Sequence, residues 1–129
     1  MAILPASLQQ EDPKKVAKVA LTVFFNITKS WKITTKQEII LLGSPPRSTF
    51  YKWRSGTITT ISQDTLERIS YIMGIYKALR KIFPTLDQAN AWPIKPNQAF
   101  NNMSGLEYML LGGVQHLSDV RRYLDDVVK

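Results

Sequence analysis

Apolar positions along this 129-residue chain recur mostly at three- and four-residue intervals, the spacing of one face of an α-helix. Val16, Val19, Val23 and Ile27 form the first series. It opens with Asp12-Pro13, an N-cap followed by a residue suited to the first helical position. Ile39 and Leu42 give a second helix its apolar side, and Thr35 followed by Glu38 reads as a capping box. Gly43 suits the end of that helix, where φ is often positive. Pro45 and Pro46 cannot continue it, yet either fits the first turn of another. A third helix is predicted from about Pro46 to Ser55, stopped by Gly56. The β-branched run "TITTI" at 57–61 reads as a turn or short extended link. Ser62 then caps a long helix with Leu66, Ile69, Met73, Tyr76 and Leu79 on one stripe, ended by Pro84. Gly74 inside it costs about 1 kcal/mol relative to Ala unless a neighbour packs close.

Beyond Pro84 the pattern shortens. Thr85/Gln88 and Ser104/Glu107 both match a capping box. Two prolines and three asparagines make 92–102 irregular. "LEYMLLG" is a short apolar helix broken at Gly112-Gly113, and Leu117, Val120, Leu124 and Val127 mark a final helix. Strand signals are nearly absent, so the class is all-α. The organisation is a patternless tail at 1–11, a region at 12–83 and a second at 84–129.

Charge separates these regions further. The formal net charge is +7, with thirteen Lys/Arg against six Asp/Glu in residues 1–90 and four against four in residues 91–129. The front therefore seeks anions and the back is neutral. With 44% hydrophobic residues a core can form. No cysteine is present, which removes disulfide and thiolate-metal chemistry and agrees with a cytoplasmic home. The N-terminal "MAILPASLQQ" lacks a charged n-region and a long apolar core, so no signal peptide is expected. The aliphatic run at 39–42 falls far short of the roughly 20 residues of a membrane span, and no membrane association is expected.

The densest candidate chemistry is "GSPPRSTFYKWRSG" at 43–56. Two helices joined by a three- to four-residue turn, the second short and ended by glycine, outline a helix-turn-helix. Its second helix would enter the major groove. Phe50 and Trp53, three apart, share a face and read as packing. Arg47, Ser48, Thr49, Tyr51 and Lys52 fall on or beside the outer face, and Lys36 and Arg54 complete the DNA-binding set. Arg and Lys can bond guanine edges or phosphates, while hydroxyls mostly bond phosphates. The alternative is an ordinary solvated face. Elsewhere His116 is the only histidine, so no multi-histidine metal site forms, and it reads as a surface or capping residue. Asp64/Glu67 and Asp125/Asp126 read as helix-end or surface pairs rather than catalytic dyads. With no P-loop, dinucleotide fingerprint or acid–base constellation, no enzyme, cofactor or small-molecule substrate is expected.

The last forty residues carry a resemblance. "AWPIKPNQAFNNMSGLEYMLLGGVQHLSDVRRYLDDVV" resembles the toxin-binding domain of Xre/MbcA/ParS-type antitoxins, through Trp92, the Asn97–Phe100 approach, Ser104-Gly105 with Leu106-Glu107, Leu111-Gly112, Leu117 and "VRRYLD". Upstream, "IILLGSPPRSTFYKWRSG" is similar to the same family's Xre-like helix-turn-helix, with a doubled proline where one is expected. The resemblance spans about residues 13–128. It implies an N-terminal Xre-like helix-turn-helix bundle and a small toxin-binding domain. It also implies a type II toxin–antitoxin system, a RES-type toxin that consumes NAD or transfers ADP-ribose, a homodimer, and autorepression at operator DNA. Toxin contact then falls to Arg121, Arg122, Tyr123, Asp125, Asp126 and Lys129, with the chain end plugging the NAD-binding cleft. The competing reading is a helix-turn-helix regulator whose C-terminal region only dimerises or senses a ligand.

Overall fold

The computed structural model describes residues 12–128 except Thr59; the predicted tail at 1–11 and Lys129 lie outside the described residues. These residues form seven α-helices and two short 3-10 turns, with no strand among them. The helices are α1 Pro13–Ser30, α2 Thr35–Leu41, α3 Arg47–Arg54, α4 Gln63–Ile82, α5 Leu86–Ala91, α6 Gly105–Met109 and α7 Val114–Val128. The 3-10 turns, Trp92–Ile94 and Gln98–Phe100, occupy the stretch expected to be irregular. An isolated bridge between Pro96 and Ser104 closes that stretch into a loop.

Most starts lie where side chains satisfy the free amides. Asp12 caps α1 with Pro13 at its first position, Ser62 caps α4, and Thr85/Gln88 and Ser104/Glu107 are complete capping boxes. The second helix corrects the sequence reading by one residue. Its cap is Thr34, boxed with Gln37, and not Thr35 with Glu38. Both pairs match the motif locally. The choice falls to Thr34 because Glu38 is buried and bonded elsewhere, so it cannot reach back to the cap. The core face of α1 is also wider than the valine series. Ala17, Ala20, Leu21 and Phe24 are buried with Val16 and Ile27, while Val19 and Val23 are half-buried.

One hydrophobic core runs through the whole described chain. It joins Leu21, Phe24, Leu41, Phe50 and Ile72 to Met109, Leu117, Val120 and Leu124. The central helix α4 is buried on more than one stripe, with Ile69, Ile72, Ile75 and Leu79 all inside. It runs in the same direction as α7. Arg68 Nη1 donates to the Gly112 carbonyl just before α7, and farther along both helices Gly74 faces Arg121. The close neighbour that a mid-helix glycine needs is therefore the Arg121 guanidinium. Packing is continuous across residues 83–84: Leu117, Val120 and Leu124 face the chain's own core, and only Val127 of the predicted series is exposed, at 50%.

Candidate functional site

The turn between α2 and α3 is five residues long, one more than the outline predicted. Gly43 (φ 94°) and Ser44 (φ 58°) both take left-handed conformations. Their amides donate to the Ile40 and Ile39 carbonyls, closing α2. The doubled proline then reads simply. Pro46 is the N-cap of α3 in extended geometry, and Pro45 leads into it. A proline has no side-chain acceptor, so no side-chain cap bond forms at the start of α3. Its first-turn amides, Arg47 to Thr49, remain available to an anion.

Phe50 and Trp53 are the buried residues of α3, and they fix which face looks outward. At 100° per residue, the direction opposite this pair carries Ser48, Tyr51 and Lys52, with Arg47 beside them. All four are exposed, Thr49 is half-buried, and Lys36 is exposed in the first turn of α2. The inner face is anchored aromatically. Phe50 meets Phe25 edge-on at 5.8 Å and Tyr51 at 5.3 Å.

Arg54 has a different environment from the other cations. Its Nη2 donates to Glu38 Oε1 at 2.9 Å and Oε2 at 3.2 Å, and the guanidinium lies over the Phe25 and Phe50 rings. The Glu38 side chain is 2% exposed, against 44% for Arg54. Thr28 of α1 completes the group, its hydroxyl donating to Glu38 Oε2 at 2.6 Å. Glu38 thus ties α1, α2 and α3 together. Sequence reasoning missed this role because the group joins residues ten and sixteen positions apart.

The C-terminal residues assigned to toxin contact divide similarly. Arg121 Nε pairs with Asp125 at 3.0 Å. Tyr123 is half-buried, stacked near Trp92 at 6.5 Å and edge-on to Phe100 at 5.3 Å. Arg122 is exposed and 3.9 Å from Asp119. Asp126 is exposed, as are Val127 and Val128. Tyr108 donates its hydroxyl to Asp119 Oδ2. That bond, then burial and the adjacent carboxylate, raise the tyrosine above its ordinary value of 10.0. His116 caps, as expected: Gly113 N donates to its Nδ1 at 3.0 Å. Among the described residues no group of three or more His, Cys, Asp or Glu could hold a metal ion. No helix among them is long and apolar enough to cross a membrane.

Comparison with known proteins places this geometry. Residues 13–74, from α1 through the middle of α4, match the antitoxin Xre-like helix-turn-helix domain. The chain is also 44% identical over 105 residues to the uncharacterized protein y4oB of Sinorhizobium fredii (strain NBRC 101917 / NGR234), covering 81% of each. With that identity and coverage, the chain belongs to the same family as the y4oB protein, and its N-terminal part is an antitoxin Xre-like helix-turn-helix domain.

Proposed function

We propose that the chain is the antitoxin of a type II toxin–antitoxin pair that represses its own operon as a homodimer. The carrying observation is the outward face of α3. Arg47, Ser48, Tyr51 and Lys52 stand exposed on a helix whose inner face is locked by Phe50, Trp53 and the Glu38–Arg54 pair. In the major groove, Arg47 and Lys52 supply charge for phosphates or guanine edges, and the uncapped first turn accepts a phosphate. Thr49 and Lys36 flank this surface, while Arg54 serves it by holding the helix. Replacing both Arg47 and Lys52 with Ala lowers operator affinity and reduces the slope of log K against log salt by about 1.8, roughly 0.9 per lost phosphate contact. An unchanged gel-shift midpoint rejects this face.

The partner restrained by the C-terminal region is proposed to be a RES-type toxin that consumes NAD or transfers ADP-ribose from it. The surface proposed for it is Arg122, Asp126, Val127 and Val128, with Asp125 beside them; Leu117, Val120 and Leu124 are spent on the core. Co-expression with a RES-type toxin, taken from an adjacent reading frame where one of toxin size occurs, tests this. The chain restores growth and co-purifies with the toxin, whereas a plain regulator does neither. That second reading is favoured by one feature, a cleft beside Gly74 large enough for a small ligand.

A further inference from the structure

The cleft lies between α1 and α4 and is closed at one end by α7, with a volume of about 510 Å³. This falls within the roughly 300–1,000 Å³ of small-molecule sites. Val23, Ile27, Met73 and the Tyr76 ring form its apolar walls. Among the described residues its charged lining is Lys77 and Arg121, with no carboxylate. Lys77 is exposed and has no ion-pair partner among the described residues.

Arg121 is placed by the backbone opposite it. A Cβ at position 74 would collide with its Nη1 and Cζ, so only glycine lets the guanidinium lie flat against α4. Asp125 accepts from Nε, and the terminal nitrogens make no hydrogen bond among the described residues. That i,i+4 pair is half-exposed and holds the arginine in place more than it neutralises it. Asn26 and Ser30 add polar atoms at the mouth.

From these observations we propose that the cleft is a binding site for a small amphipathic anion, with an aromatic or short acyl body on the Val23–Ile27–Met73–Tyr76 wall and its carboxylate or sulfonate between Lys77 and Arg121. Charge complementarity selects the anion over a neutral or cationic ligand of the same shape. The site stands whether or not the C-terminal region holds a toxin.

Two probes with the same ring system separate the contributions: 1-anilinonaphthalene-8-sulfonate, and N-phenyl-1-naphthylamine, which lacks the sulfonate. Titrated into the full chain, the sulfonate gives a saturable 1:1 fluorescence rise and moves the Gly74 amide resonance but not that of Gly56 beyond α3. Lys77→Met weakens sulfonate binding at least threefold, and Lys77→Met with Arg121→Met at least tenfold, with less than a threefold effect on the neutral probe. Asn26→Trp, an exposed position at the mouth, abolishes the signal while leaving the thermal melt in place. The proposal is overturned if the signal survives Asn26→Trp, if the neutral probe binds as tightly as the sulfonate, or if Lys77→Met leaves the affinity unchanged. Lys77→Met alone keeps the test decisive should the Arg121 variant unfold.

Discussion

A Cβ at Gly105 would stand 2.5 Å from Trp92 Cζ3 and 2.8 Å from Cη2. The indole is packed by Phe100 and Tyr123 and cannot withdraw without breaking that cluster. At Gly74 the obstacle is the far end of Arg121, which can swing away. Gly105→Ala therefore costs about 1–3 kcal/mol by overpacking. Gly74→Ala offsets a lost contact with a helix-propensity gain of about 1 kcal/mol and moves stability by less than that. Urea denaturation measures both, and equal losses would refute the distinction. Gly74 was legible as a site of close approach because a glycine inside a 20-residue helix needs a reason. Gly105 was not. It follows the cap Ser104, where helix-start chemistry already accounts for the sequence, and its real constraint is an indole thirteen positions upstream.

Helix α3 shows what an element's own residues reveal and what they do not. Phe50 and Trp53 share a face at spacing three, so the inward side of α3 was readable, and its outward side with it. The seating of the helix was hidden, because Thr34/Gln37 and Thr35/Glu38 are equally good caps until Glu38 is known to be buried. Arg54 looked like one more cation for DNA for the same reason: its partner lies on another helix. The two roles for Arg54 predict opposite signs. If it positions α3, Glu38→Gln weakens operator binding several-fold by removing a charge-assisted pair worth about 1.5–3 kcal/mol. If it serves DNA directly, the same variant releases the guanidinium and strengthens binding. Salt titration separates them again: Arg54→Met leaves the slope near its original value when the role is positioning, and lowers it by about 0.9 when the role is phosphate contact. A circular-dichroism melt well above the assay temperature confirms that each variant is folded.

At the scale of the molecule, the stripe on α7 was readable as apolar but its partner was not, since periodicity says that a face is buried and not against what. Val120 and Leu124 are fully buried in the core shared with α1 and α4. Removing such side chains costs about 2–5 kcal/mol each. Two of them are comparable with the 5–15 kcal/mol that separates folded from unfolded chains. A chain ending at Asp119 should therefore lose its cooperative melt and its operator binding, although every residue of the α3 face is intact. A truncated chain that still shifts operator DNA at the original midpoint would mean that the two regions fold separately. The shared core also changes how the chain end must be tested against a toxin, because deleting residues 120–129 removes the scaffold along with any plug. Arg122→Glu, Val127→Asp and Val128→Asp alter only exposed positions. Together they should leave the melt and the gel-shift midpoint unchanged while abolishing growth protection in co-expression. Protection that persists in the triple variant would place the toxin contact elsewhere on the chain.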